Sequence, residues 1–237
     1  MRSNFFFLMF VINYSFAAGG GAGLDDAKLD PSDGLSIQRG AKTFVNYCLG
    51  CHEASYMRFN RLGDLGLSKG QIKEFLIFGE KKVGDTMVNA MDREDAELWF
   101  GIVPPDLSVI ARSRGPDWLY TYLRSFYQDD KSTTGWNNTL FPNVGMPHIL
   151  WELQGIRELE AGEASRLGQK TVTKMEGALN QTEYDSFVRD LVNYLVFIGE
   201  PARTLRVQIG IVILFVLSIF LVLTWVLKKE YWKDVNQ

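Results

Sequence analysis

The longest hydrophobic run in the chain lies near its C-terminus, at residues 209–227. These nineteen residues carry no charged side chain, and at about 1.5 Å of rise per residue a helix of this length covers roughly the 30 Å hydrocarbon core of a bilayer. Basic residues flank the run on both sides, at Arg203, Arg206, Lys228, Lys229 and Lys233. The pattern predicts one membrane-spanning helix, assigned to residues 203–229, with a short tail at residues 230–237.

A second apolar run lies at the N-terminus and is too short to span a bilayer comfortably. Arg2 precedes the apolar stretch from Phe5 to Ile12, and small residues follow it. This order is typical of a secretory signal peptide. We therefore expect a signal peptide at residues 1–18, an exported domain at residues 19–202 and a tail that stays inside the cell.

Between the two runs, apolar residues recur with helical spacing. The spacing predicts a helix from about Ile37 to Asn46, and Ser68 with Gln71 has the capping-box pattern of a helix that ends near Gly79. Further helices are predicted from Pro116 and from about Thr182. Residues 80–115 and 128–181 show no convincing strand alternation and are interpreted as long loops. The fold class is therefore mainly α, with long loops and one C-terminal transmembrane helix.

Composition narrows the possible partners. The chain has 237 residues, enough for one substantial domain with appendages. Residues 19–202 contain 19 Lys and Arg against 26 Asp and Glu, a net charge of −7. An acidic exported domain excludes nucleic acid as a partner and suits a basic protein, although ordinary solubility explains the same charge.

The two cysteines of the chain lie in one motif, Cys48-Leu-Gly-Cys51-His52. Cys-x-x-Cys-His is the attachment motif of a c-type haem. The thiols can reach the two vinyl groups of a porphyrin, and His52 can then ligate the iron. A redox pair does not require the histidine, and a zinc site would need more ligands than the chain provides. The motif therefore predicts one covalently attached haem c.

The second axial ligand has to come from elsewhere in the chain. Met146 lies between Gly145, which permits close backbone approach, and Pro147, which favours an extended backbone before it. His148 is the competing ligand because it lies only two residues away, and a five-coordinate iron is the remaining alternative. Methionine is favoured here, since His/Met ligation is typical of electron-transfer cytochromes.

A proline-rich stretch, Pro104-Pro105-Asp106-Leu107, offers a stiff loop near the predicted site. The second ring nitrogen of a ligating histidine needs a hydrogen-bond acceptor, and a carbonyl of this loop is a suitable one. Arg112 and Arg114 follow, and either could pair with a haem propionate.

Taken together, these segments resemble the cytochrome c1 family of the bc1 complex, ubiquinol–cytochrome c reductase. The resemblance covers most of the chain and rests on a few motifs: Gln38-Arg-Gly, the Cys48–His52 motif, Ser55-Tyr-Met-Arg-Phe, Pro104-Pro-Asp-Leu-Ser with Arg112 and Arg114, Gly145-Met-Pro, Gly199-Glu-Pro and the C-terminal anchor. Met146 is followed by Pro-His here, whereas mitochondrial members have Met-Ala-Pro-Pro. This departure suits a bacterial form and leaves the docking surface for cytochrome c undefined.

The resemblance implies a class I cytochrome c-like haem domain. Cys48 and Cys51 would carry the thioethers, His52 and Met146 would be the iron ligands, Pro105 would lie beside His52, and Arg114 would meet a propionate. The implied function is electron transfer from the Rieske iron–sulfur protein to a cytochrome c, within a dimeric complex that contains cytochrome b. The implied location is the bacterial inner membrane, with the haem domain on the periplasmic side. A free-standing membrane-anchored cytochrome c that feeds a terminal oxidase, and a haem enzyme such as a peroxidase, are the rival interpretations.

Overall fold

The computed structural model describes residues 23–160 and 171–234, which form a mainly helical domain followed by one long helix. The predicted signal peptide, residues 1–18, lies outside the described residues. The helices are α1 (Gly34–Thr43), α2 (Lys69–Phe75), α3 (Arg93–Phe100), α4 (Ile110–Ser113), α5 (Pro116–Arg124), α6 (Trp151–Gln154), α7 (Gln181–Gly199) and α8 (Arg203–Tyr231). A π-helical turn, Phe44–Cys48, continues α1, and a 3-10 helix spans Phe59–Leu65.

Six short strands pair as three antiparallel two-stranded sheets in the described part of the chain. The pairs are β1 (Ala54–Arg58) with β2 (Thr86–Met87), β3 (Phe126–Gln128) with β4 (Trp136–Asn138), and β5 (Gly155–Leu159) with β6 (Thr171–Glu176). The first pair packs on the core, where Met87 of β2 accepts a hydrogen bond from the Tyr194 hydroxyl of α7, and the three pairs do not form a layer of their own.

The core of the domain is the crossing of α1 with α7. The Asp33 carboxylate accepts hydrogen bonds from the backbone N–H groups of the first turn of α1, and a capping box of Asn180 and Glu183 begins α7. Gly40 lies at the crossing, where an added Cβ would come within 2.0 Å of a backbone oxygen of α7. The rings of Phe44 and Tyr194 pack beside it, with centroids 5.3 Å apart. This contact fixes the helix that leads into the cysteine motif.

The helices follow the predicted pattern, but several boundaries differ. Helix α1 begins at Gly34 and passes into a π-helical turn, whereas a single helix from Ile37 to Asn46 was expected. Helix α2 ends at Phe75 and not near Gly79, and the Phe75 side chain is 59% exposed. Leu76 and Ile77 are buried beyond the end of the helix, so the apolar spacing past Phe75 belongs to a turn that packs on the core.

The two segments interpreted as long loops contain short regular elements. Strand β2 and helices α3 and α4 lie within residues 80–115, and β4, α6 and the β5–β6 hairpin lie within residues 128–181. Helix α3 buries one residue, Ala96, and most of β6 is exposed, so neither segment produces an apolar periodicity that a sequence can reveal.

Helix α8 has the length and the apolar surface of a membrane span. Residues Leu205–Tyr231 are apolar enough to cross a bilayer, and the rest of the described chain does not bury them. The predicted C-terminal membrane helix is therefore present, and it extends two residues beyond the expected end at residue 229.

Candidate haem site

The cysteine motif lies at the point where the extended α1 turns back. Cys48 is the last residue of the π-helical turn, and the backbone N–H groups of Cys51 and His52 both donate to its carbonyl, at 3.1 and 2.8 Å. This tight turn places Cys48 inside the core and leaves Cys51 and His52 partly exposed on an adjacent cleft. The two sulfurs are not joined in a disulfide.

The imidazole of His52 is held in one orientation by the proline-rich loop. Its Nδ1 lies 2.8 Å from the carbonyl oxygen of Pro105. Because a carbonyl can only accept, Nδ1 carries the proton and the Nε2 lone pair is left for a ligand. Burial lowers the pKa of His52, while the Pro105 carbonyl and the charge of Asp106 act in the opposite direction. The ring is therefore disposed as a neutral metal ligand.

Asp106 fastens the proline-rich loop to the segment after the motif. Its carboxylate accepts hydrogen bonds from the backbone N–H groups of Ser108 and Ser55, at 2.7 and 2.9 Å. The backbone N–H of Leu107 donates to the carbonyl of Glu53 at 2.7 Å. Burial raises the pKa of Asp106, but the hydrogen bonds lower it by more, so the net pKa lies below the ordinary value. The acceptor of His52 is thus held by at least three hydrogen bonds.

A mostly apolar cleft opens beside His52. The lining residues are Tyr47, Cys51, His52, Phe100, Ile102, Pro104, Pro105, Gly145, Met146, Pro147 and Ile149. Cys51, His52 and Met146, which are far apart in sequence, therefore share one cavity.

Met146 and its competitor His148 have different surroundings. His148 is 2% exposed and does not line the cleft, because its ring stacks on Phe126 with centroids 4.8 Å apart and meets Trp136 edge-on. Burial lowers the pKa of His148 to about 4, so the ring is neutral and behaves as a core aromatic. Met146 is half-buried, and its sulfur lies 3.4 Å from the Tyr122 hydroxyl.

The other methionines of the described chain lie elsewhere. Met57 and Met87 are buried in the core, Met91 lies on a neighbouring groove, and Met175 is 45% exposed on β6. Met87 accepts a hydrogen bond from the Tyr194 hydroxyl at 3.1 Å. Of the described methionines, Met146 is the one that lines the cleft.

Arg114 lies at the exposed end of α4, just before α5, over two aromatic rings. Its guanidinium is 5.0 Å from the centroid of Trp118 and 5.9 Å from that of Phe141. Among the described residues it forms no ion pair, in contrast to Arg112, whose guanidinium reaches Glu200 at 3.5 Å. The stacked guanidinium keeps its N–H groups available for an anion, such as a propionate.

The donor set fits a c-type haem. Burial raises the pKa of the Cys48 thiol to about 12, and burial also raises that of Cys51, so both positions favour an uncharged sulfur, as in a thioether. His52 has one ring nitrogen free of the Pro105 carbonyl, and Met146, which carries a soft thioether, lines the same apolar cleft. Such a set can hold an iron porphyrin and tune its potential.

Some residues of the site have no signal in the sequence. Tyr122 is one of several apolar positions on α5, and its contact with Met146 depends on the packing of a distant loop. Asn138 lies in a stretch interpreted as a loop, yet it is fully buried. Neither residue belongs to a motif, so only the three-dimensional arrangement identifies them.

Comparison with known proteins adds independent findings. The family model described as the Cytochrome C1 family matches residues 26–235. A Nitrosomonas europaea protein named ammonia monooxygenase gamma subunit is 50% identical over 239 residues, covering 100% of both chains. Cytochrome c1 of Allochromatium vinosum is 48% identical, covering 97% of both chains. Cytochrome c1 of Rhodospirillum rubrum is 26% identical, covering 86% of this chain and 83% of that protein.

Proposed function

The chain belongs to the cytochrome c1 family, and from that premise we propose that it takes single electrons from a Rieske iron–sulfur protein and passes them to a cytochrome c. Family membership itself gives the coarser statement. The chain is a membrane-anchored electron-transfer subunit of the bc1 type, and it carries a covalently bound haem c. The complex to which such a subunit belongs is a ubiquinol–cytochrome c reductase.

The observation that carries the proposal is the cleft shared by Cys51, His52 and Met146. In our assignment, Cys48 and Cys51 form the thioether bonds, and His52 and Met146 are the axial ligands. When bound, haem c supplies a one-electron iron couple. The apolar lining excludes water from the iron, and the Pro105 carbonyl keeps the His52 proton on Nδ1.

Arg114 is assigned to a haem propionate because its stacked guanidinium forms no ion pair within the described residues. An arginine near a propionate would stabilise the ionised carboxylate through charge-assisted hydrogen bonds. This would hold the porphyrin in a fixed tilt relative to α5.

The proposed topology rests on the two apolar segments of the sequence, at residues 5–12 and 209–227. We assign residues 1–18 to a signal peptide, residues 19–202 to a periplasmic haem domain, residues 203–229 to the membrane span and residues 230–237 to a cytoplasmic tail. Helix α8 would then pack against cytochrome b and lipid in the inner membrane, in a dimeric complex. The assignment is supported by the exposed apolar surface of α8, which the described chain leaves uncovered.

A second candidate function comes from the relative named ammonia monooxygenase gamma subunit. That relative is 50% identical and covers the whole chain, so a subunit of an ammonia monooxygenase is the second candidate function. A free-standing cytochrome that feeds a terminal oxidase is indistinguishable from both by its haem residues. The three functions differ in the proteins that accompany the chain.

Purification of the tagged full-length chain in mild detergent separates these functions. We expect b-type haem and an iron–sulfur protein to accompany the c-type haem in fixed proportion, and the purified complex to reduce cytochrome c with a quinol. A variant that ends before Arg203 serves as the control, because it lacks the membrane anchor and should lose the b-type haem. Isolation of c-type haem alone, or with an ammonia monooxygenase, would refute the bc1 assignment.

A further inference from the structure

The Met146 sulfur has a hydrogen-bond donor of its own. The Tyr122 hydroxyl, on the last turn of α5, lies 3.4 Å from Sδ and donates to it. The phenol is held between two rings, stacked on Trp118 at 4.9 Å and edge-on to Phe126 at 5.1 Å. The donor is therefore fixed in position.

The backbone of the same tyrosine is tied to the loop that leads to Met146. Asn138 is fully buried, and its Nδ2 donates to the carbonyl of Tyr122 at 2.8 Å. Its Oδ1 accepts from the backbone N–H groups of Leu140 and Phe141, at 2.9 and 3.1 Å. One side chain thus joins the end of α5 to the start of the loop.

The neighbouring Asn137 holds the other end of this loop. Its Oδ1 accepts from the backbone N–H of Asn143 at 2.8 Å. Asn143 has a left-handed backbone, with φ of +60°, which an asparagine tolerates better than most residues. Gly145 follows, where an added Cβ would come within 2.9 Å of the Phe100 carbonyl oxygen. The approach of the chain to Met146 is therefore determined by buried amide contacts and by close packing.

We propose that Tyr122 and Asn138 act together as positioning residues for the Met146 thioether. Tyr122 donates to the sulfur, and Asn138 holds helix α5 and the methionine loop in register. The inference rests on the proposed role of Met146 as an iron ligand. A donor on the sulfur withdraws electron density from the bond that the sulfur makes to iron, which disfavours the ferric state. A fixed loop makes the methionine harder to displace.

Two variants of the full-length haem-containing protein test the roles of Tyr122 and Asn138 separately. Tyr122→Phe removes the donor and keeps the ring, so we expect the reduction potential to fall. The expected change is a few-fold to tenfold in the equilibrium between the two iron states, and tenfold corresponds to about 59 mV for one electron. Asn138→Ala loosens the loop, so imidazole should displace the methionine from ferric iron about tenfold more readily.

Matched controls separate positioning from stability. Tyr184 is a buried tyrosine whose hydroxyl donates to the Leu123 carbonyl at 2.9 Å, and Asn193 is a buried asparagine whose Nδ2 donates to the Asp30 carbonyl at 2.8 Å. Neither residue lines the cleft. Tyr184→Phe and Asn193→Ala should lower stability by similar amounts and leave the potential, the imidazole affinity and the methionine–iron absorption band unchanged.

The outcomes distinguish the possible failures. A parental potential in Tyr122→Phe, together with parental imidazole affinity in Asn138→Ala, would overturn this inference alone if the methionine–iron band is present. Absence of that band from the parent protein would overturn both this inference and the Met146 assignment. If Asn138→Ala does not fold, Asn138→Asp replaces it, because it keeps an acceptor for the loop and removes the donor to Tyr122.

Discussion

The close crossing of α1 and α7 can be tested by a single substitution, and it supports the helix that leads into the cysteine motif. Gly40→Ala would place a Cβ 2.0 Å from the backbone oxygen of Asp190 and 2.7 Å from the Tyr194 Cβ. Real Cβ contacts are essentially never shorter than 3.0 Å, and backbone atoms cannot rotate away, so the two helices would have to separate. In a close-packed interior a separation of roughly 1 Å opens the packing on either side of the contact.

The expected change in the free energy of unfolding is the sum of two opposing effects. Overpacking of a core costs typically about 1–3 kcal/mol, and a backbone clash belongs at the upper end of that range. Replacing glycine by alanine within a helix contributes about 1 kcal/mol in the other direction. We therefore expect Gly40→Ala to lower the free energy of unfolding by about 2 kcal/mol. The separation would also disturb the packing of Phe44 on Tyr194, just before Cys48.

Denaturant unfolding of the full-length protein in detergent, followed by tryptophan fluorescence, measures this change. Gly70→Ala is the matched control, because Gly70 lies in α2 and an added Cβ there would meet one atom, at 3.9 Å. The control should be neutral or slightly more stable than the parent. Equal stabilities for the two variants would refute the close helix crossing.

Three further predictions concern the site and its support. Met146→Leu should leave the haem attached but lower the reduction potential, and an unchanged redox titration would contradict the ligand assignment. The low pKa of Asp106 stabilises the fold above the unfolded value of about 4, and this contribution is lost as the pH falls through the folded pKa. Asp106→Asn should therefore be less sensitive to acid below about pH 4, as monitored by circular dichroism at several pH values, whereas parallel acid curves would refute the role of the carboxylate. Ser68→Ala should cost about 1 kcal/mol in denaturant unfolding, because it removes the N-cap of α2, and a cost near zero would show that the capping box is dispensable.

The sequence predicts one half of the site better than the other for a physical reason. Cys48, Cys51 and His52 lie within five residues of the chain, so a single turn determines their arrangement and the motif is recognisable without tertiary structure. Met146 and His148 are two residues apart, and the sequence favoured Met146 while His148 remained its competitor. The choice between them depends on where Phe126 and Trp136 pack, and those contacts enclose His148 in the core.

The same distinction applies to the fold. Amphipathic helices such as α5 and α7 bury one face and therefore leave a periodic pattern, which the sequence analysis used correctly. Helix α3 and strand β6 bury little, and their conformation depends on neighbouring segments. The carbonyl of Pro105 illustrates a third case. Its loop was identified from the proline-rich composition. The distance of 2.8 Å between this carbonyl oxygen and the Nδ1 of His52, however, depends on the Asp106 hydrogen bonds that fasten the loop.

The junction between the haem domain and the membrane helix is held weakly by the described chain. Glu200 lies between α7 and α8 and forms ion pairs with Arg112 and Arg206, but the two arginine side chains are more than 60% exposed. Exposed ion pairs contribute about 0–1 kcal/mol, and screening by salt reduces that further. The pairs are thus too weak to set the angle between the domain and the bilayer. Because α8 leaves its apolar surface uncovered by the described residues, the orientation of the haem cleft above the membrane depends on what packs against α8, which in the proposed complex is cytochrome b.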